Sequence, residues 1–242
     1  MLIINADDWG RSMAETDAAL RCFRNRRITS VTAMIFMEDS IRAADLAKEH
    51  EIPAGLHLNL SQPYNGVAPL AAREPQRRVA RFLNRSKFAV LLYHPGLRAQ
   101  FREAFQIQMD EFVRLYGKPP THVDGHQHRH LCANMLLEEV IPRGSKVRRN
   151  FTFWPGEKGL INRAYRSLVD RLLLSRYTLT DYFFSLVQNL RPERLTRVLQ
   201  AASKSNVELM THPINKVEYD WLMSDHHLES VQNIRKMSYA SL

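Results

Sequence analysis

The chain is short of cysteine. Cys22 and Cys132 are the only two in 242 residues, and they show no paired spacing. That argues against a disulfide framework and for free thiols in a reducing compartment, hence a cytoplasmic location. Long apolar runs are missing too: no stretch approaches the roughly 20 residues of a membrane span. The N-terminus has no basic leader ahead of an apolar core and reaches Asp7 almost at once, so no secretory signal is expected. Acids are too few to balance the bases: 25 Asp+Glu against 34 Lys+Arg give a formal charge of +9. Such a surface attracts nucleic acid, anionic lipid or anionic substrate. The arginines are nevertheless spread over many segments, from Arg21 and Arg24 through Arg77, Arg78 and Arg81 to Arg163, Arg166 and Arg171, as on solvated helix faces. No repeat, low-complexity stretch or linker interrupts the chain. With 45% hydrophobic and 24% charged residues, residues 1–242 are expected to form one globular domain.

What is present is an alternation of strand-like and helix-like segments, which predicts an α/β fold with a mostly parallel sheet. Strands are expected at Met1–Ala6, Ile28–Phe36, Ile52–Leu60, Thr121–Asp124, Lys146–Phe151 and Val207–Thr211. Ser12-Met13-Ala14-Glu15 reads as a capping box opening a helix to about Asn25. Asp39 or Ser40 is expected to cap the next helix. Phe101, Phe105, Met109, Phe112 and Tyr116 recur at helical spacing, so Leu97–Tyr116 is predicted to be a long helix with a core-packing stripe. Leu131–Ile141, Leu160–Leu174 and the segment from Pro192 to about Lys204 also read as helices. Between Ser61 and about Pro95, prolines suggest a long loop and a short basic helix.

Four of the apolar runs end abruptly in polar, metal-type side chains. They are Asn5-Ala6-Asp7-Asp8-Trp9-Gly10, Gly55-Leu56-His57-Leu58-Asn59-Leu60, His122-Val123-Asp124-Gly125-His126-Gln127-His128-Arg129-His130, and Leu209-Met210-Thr211-His212-Pro213. Adjacent carboxylates repel each other unless a cation or proton uses them. In α/β folds the strand carboxyl ends share one rim, where ligands bind. Each signal has a bland reading on its own: Asp8 as a helix cap, His57 as a core histidine, the histidine run as a surface loop. Together they point to a metal-dependent enzyme. Two histidines and a carboxylate leave positions open on a divalent ion. Such an ion acidifies water and polarises a carbonyl, while a second carboxylate serves as base and a separate histidine as acid.

These four motifs, in this order over nearly the whole chain, resemble the YdjC-like carbohydrate deacetylases, which include the chitooligosaccharide deacetylases. The resemblance implies a distorted TIM-like (β/α) barrel, often dimeric, that hydrolyses acetyl groups from N-acetylated sugars or oligosaccharides. By position it implies Asp8, His57 and His126 as metal ligands, Asp7 as general base and His212 as general acid. The ion is expected to be divalent, Zn²⁺ by donor chemistry or Mg²⁺. Asp124, His128 and His130 are candidates to orient the ligands, and Arg148 resembles an arginine near the site of related deacetylases. Trp9 stands where phenylalanine is more usual, and Ile214 where many members have a small residue.

Three rivals have distinct signatures. A metal-dependent phosphoesterase, favoured by the basic charge, would release phosphate. A non-haem iron oxygenase would need Fe(II) and O₂. A basic nucleic-acid-binding module with a structural ion would bind with steep salt dependence, but the chain has no recognised nucleic-acid motif or aromatic–basic interleaving.

Overall fold

Six short strands, all parallel, carry the fold. In the computed structural model, which describes residues 1–154 and 156–242, they are β1 (Leu2–Trp9), β2 (Ser30–Ala33), β3 (Ala54–Leu58), β4 (Val123–Gly125), β5 (Tyr182–Ser185) and β6 (Val207–Thr211). Their order across the sheet is β4-β3-β2-β1-β6-β5. Nearly every strand residue is buried, because helices cover the outer face and side chains fill the inner one. The helices are α1 (Met13–Arg24), α2 (Ser40–Glu49), α3 (Leu70–Leu83), α4 (Arg98–Tyr116), α5 (Ala133–Leu137), α6 (Leu160–Leu174), α7 (Leu186–Asn189), α8 (Pro192–Ala202), α9 (Lys216–Met223) and α10 (Asp225–Val231).

The expected distorted barrel is present, and its distortion lies in the closure. Lys146–Phe151, expected as a strand, forms none, and its Lys146 and Val147 bridge the two sheet edges by isolated pairs only. Val147 pairs with Val123 of β4 and Lys146 with Thr178, four residues ahead of β5. Further on, the Thr152 N–H donates to the Phe183 carbonyl at 2.9 Å. The sheet therefore curls into a ring whose closing seam has few ladder bonds.

Helix signals held where capping and periodicity agreed. Ser12 accepts from the Glu15 N–H, although the Glu15 carboxylate takes the Ser12 hydroxyl proton rather than reaching back to the backbone, so the capping box is only half formed. Asp39 occupies the N-cap of α2 without a capping hydrogen bond and pairs with Arg42 instead. The α4 stripe is core, with Phe112 stacked on Tyr116 at 4.2 Å, and Gly117 ends the helix at φ +70°.

Two of these expectations need correction. The basic helix expected after the loop that begins near Ser61 is longer than foreseen, running over Leu70–Leu83 through Pro75. The proline forfeits one backbone bond, and α3 is held instead by its buried face. The helix expected at Leu131–Ile141 shrinks to α5, ended by Glu139 at φ +48° ahead of Pro142. Helix α6 forms as expected, but it leaves Leu160, Ile161, Leu168 and Leu174 exposed while burying Val169 and Leu173.

Candidate metal centre

At the end of β1 the pairing slips. Ala6 lies opposite Val31 and Trp9 opposite Ala33, so β1 spends one more residue than β2 over this stretch. Such a bulge re-aims side chains. Asp8 sits in it at φ +63°, the left-handed region an aspartate tolerates at a cost. In a regular strand Asp7 and Asp8 would face opposite sides of the sheet. With the bulge, both reach the same buried centre. Trp9 anchors the turn, fully buried, with its indole N–H on the Ala43 carbonyl at 3.1 Å.

Asp8 meets two of the expected histidines. Its Oδ1 lies 3.0 Å from His126 Nδ1 and 3.4 Å from His57 Nε2. One donor atom from each of the three residues falls within 4.8 Å of the others. The ring of His57 is fixed from behind: Nδ1 lies 2.7 Å from Asp124 Oδ1, because β3 and β4 pair His57 directly with Asp124. A carboxylate on the far nitrogen is the usual way to orient a metal-binding imidazole. His126 follows β4 and is aimed by a tight turn in which Gln127 and His128 are both left-handed, at φ +54° and +57°. Gly125 permits that turn, since a Cβ there would meet the His130 backbone nitrogen at 2.9 Å.

The electrostatics call for positive charge here. Burial alone would raise the Asp8 carboxyl, but its hydrogen bonds with His126 and His57 hold it well below the usual carboxylate range. Burial likewise lowers His57, yet Asp124, Asp7 and Asp8 outweigh it and push the imidazole up to about 10. A divalent cation fits this donor set.

Beneath lies a second layer built on Arg148, which is fully buried. Its guanidinium grips Asp7 with two bonds of 2.7 Å, approaches Asp124 Oδ2 at 2.6 Å, and donates to Glu208 Oε1 at 2.8 Å. Asn5 and Thr32 also donate to Asp7 Oδ1, at 3.0 and 3.1 Å. This leaves Asp7 Oδ2 with Arg148 as its one donor among the described residues. Burial would raise Asp7, but Arg148 outweighs it and keeps the carboxylate ionised. Burial carries Glu208 up to about 7 despite Arg148, and the Tyr239 hydroxyl donates to its other oxygen.

His212 follows β6, whose Thr211 pairs with Ala6, so it lies level with Asp7 on the neighbouring strand. It is partly exposed, and Glu218 steadies it by accepting its backbone N–H at 2.9 Å. His130 Nε2–H donates to the Arg148 carbonyl at 3.1 Å. His128 packs edge-on against Phe151, ring centroids 4.4 Å apart. Burial lowers His122 and His128 to about 3 and His130 to about 4, so all three are neutral. Glu208, Glu218 and Tyr239 were not foreseen. A lone glutamate inside the apolar run Val207–Thr211 was the available signal for the first.

A family model described as YdjC-like protein matches residues 1–233. A carbohydrate deacetylase from Mus musculus is 31% identical, the match covering 88% of this chain and 77% of that protein. Its counterpart from Homo sapiens is 32% identical, covering 88% and 74%. A chitooligosaccharide deacetylase from Yersinia enterocolitica is 26% identical, covering 88% and 81%. Among solved structures, a protein from Enterococcus faecalis V583 described as a cellobiose-phosphate cleavage protein superposes with a TM-score of 0.64. It is 18% identical and the match spans 99% of this chain and 97% of that one, which speaks to fold alone.

Proposed function

Because this chain belongs to the YdjC-like protein family, we propose that it is a metal-dependent hydrolase that removes an acetyl group from an N-acetylated sugar or oligosaccharide. The names of its relatives support the substrate class. The observation that carries metal dependence is the convergence of Asp8, His57 and His126 within 4.8 Å, with Asp124 holding the far side of His57. Those three side chains would hold a divalent ion, Zn²⁺ or Mg²⁺. When bound, the ion supplies Lewis acidity, acidifying water and polarising the acetamide carbonyl.

The remaining steps belong to the protein. Asp7, ionised and immobilised by Arg148, accepts the proton of the attacking water on Oδ2, the less committed oxygen. Arg148 keeps that carboxylate aimed, and ionised until it takes the proton. His212, open to solvent on the same rim, protonates the departing amine, and acetate and a free amino sugar result. The same reading makes residues 1–242 one catalytic domain, and two buried free thiols fit a cytoplasmic location.

An acetate-release screen over N-acetylated sugars, run on chelator-treated protein with single divalent ions restored, tests this reading. We expect ion-dependent acetate release, and His126→Ala should lose ion uptake and activity together, by about a thousandfold or more. Full activity in that variant, or release of phosphate from phosphate esters in place of acetate, would refute it.

A further inference from the structure

Several of the most exposed large apolar side chains gather at one end, while Leu137, Leu168 and Leu174 lie farther along their helices. In a parallel ring all strands finish on the same rim, and the loops and helix starts that follow them form the face around the metal centre. On that face stand Leu70 (85% exposed), Phe88 (59%), Leu92 (57%), Leu160 (80%), Ile161 (89%) and Val217 (60%). Leu70, Leu160 and Val217 lie in the first turns of α3, α6 and α9. The 84–94 segment is tied to the same rim. Asn84 donates to the Ser61 carbonyl just past β3 at 2.9 Å, and Arg129, in the turn after His126, donates to the Leu83 carbonyl at 2.9 Å.

The longer stretch around that segment is strongly basic. From Pro75 to Arg102 the sequence holds Arg77, Arg78, Arg81, Arg85, Lys87, Arg98 and Arg102 and no acid. Arg77 and Arg78 pair with Glu74, and Arg98 and Arg102 with Glu138. Arg81, Arg85 and Lys87 have no ion pair among the described residues, and they precede the exposed Phe88, Leu91 and Leu92 in the sequence. Across the rim, Lys158 and Arg163 flank Leu160 and Ile161 in the same manner.

Exposed apolar side chains among unpaired cations match the boundary of an anionic bilayer, where the apolar groups enter the headgroup layer and the cations meet lipid phosphates. We infer that the catalytic rim docks on an anionic lipid surface and that the sugar it deacetylates is displayed there. The docking stands on the rim's own chemistry; the identity of the displayed group rests on the deacetylase reading. No helix of the described residues is long and apolar enough to cross a membrane, so the contact is interfacial.

Sedimentation with vesicles tests the docking. The full chain should cosediment with phosphatidylcholine vesicles carrying about 30% phosphatidylglycerol at least tenfold better than with pure phosphatidylcholine, and added salt should weaken the binding. Phe88→Ser/Leu91→Ser/Leu92→Ser and Arg81→Gln/Arg85→Gln/Lys87→Gln should each cut that partition about tenfold with unchanged circular dichroism. Equal partition into both vesicle types, or variants that bind like the parent, overturns the docking. So does a dimer that the apolar triple variant dissociates while the parent ignores vesicles, because the face then meets a second copy. In the coupled assay, acetate release from an alkyl N-acetylglucosaminide embedded in the anionic vesicles should exceed release from free N-acetylglucosamine about tenfold. Equal release overturns surface presentation. No release from either substrate, with vesicle binding intact, sinks the deacetylase reading and leaves the docking standing.

Discussion

Two parts of the ring are held by different forces. From β4 through β3, β2 and β1 to β6, continuous parallel ladders fix the register, and register alone places His57 against Asp124 and His212 level with Asp7. Between β4 and β5 the ring closes through the isolated bridges of Val147 to Val123 and Lys146 to Thr178, and one buried arginine ties that seam to Asp7, Asp124 and Glu208. Backbone geometry positions the candidate ligands in the first part. In the second, charge does most of the positioning. Breaking a charge should therefore open the seam and spare the ladders.

The largest effect should come from Arg148→Met, which strands three buried carboxylates. Leaving buried charges uncompensated costs about 3–5 kcal/mol. Denaturant titration should show that loss, and hydrogen exchange should quicken at Val147, Thr152 and Thr178 well before Ile4 or Leu209. Uniform acceleration would mean that seam and ladders are one cooperative unit.

The ladder side is sharpened by pH. Without metal, His57 is raised to about 10 by its carboxylate neighbours, so over the neutral range it carries a proton that an ion must displace. Acid favours the proton, and metal affinity should fall about tenfold for each unit of pH lowered between about pH 8 and pH 6. Calorimetry in buffers of different ionisation enthalpy should register release of about one proton per ion. Affinity independent of pH would contradict the assignment of His57.

A smaller effect is expected from Tyr239→Phe. The hydroxyl is a donor to buried Glu208, and its loss should cost about 1 kcal/mol. Because Glu208 already sits up at about 7, it can keep a proton when that donor goes. A cost as large as that of Arg148→Met would mean that Tyr239, not the arginine, anchors the seam.

The ladder side was the part readable in the sequence. Its strands are apolar runs that stop at Asp7, His57, Asp124 and His212, and the change of residue type marks each strand end. The seam was harder to read because its signals are weak or displaced. Lys146–Arg148 has only bridge pairing, Tyr182–Ser185 is a four-residue strand in an arginine-rich stretch, and Tyr239 joins Glu208 from the far end of the chain. Pro75 read as a breaker because local propensity cannot register the packing that holds α3. The bulge at Asp8 has no sequence signature beyond the acid pair, yet it lets neighbouring carboxylates serve two layers of one site.

Anomalous diffraction at the zinc edge, from crystals grown with Zn²⁺, tests the central claim most directly. One strong peak is predicted about 2.0–2.2 Å from Asp8 Oδ1, His57 Nε2 and a ring nitrogen of His126. A peak elsewhere, or none at these three side chains under saturating metal, would contradict it.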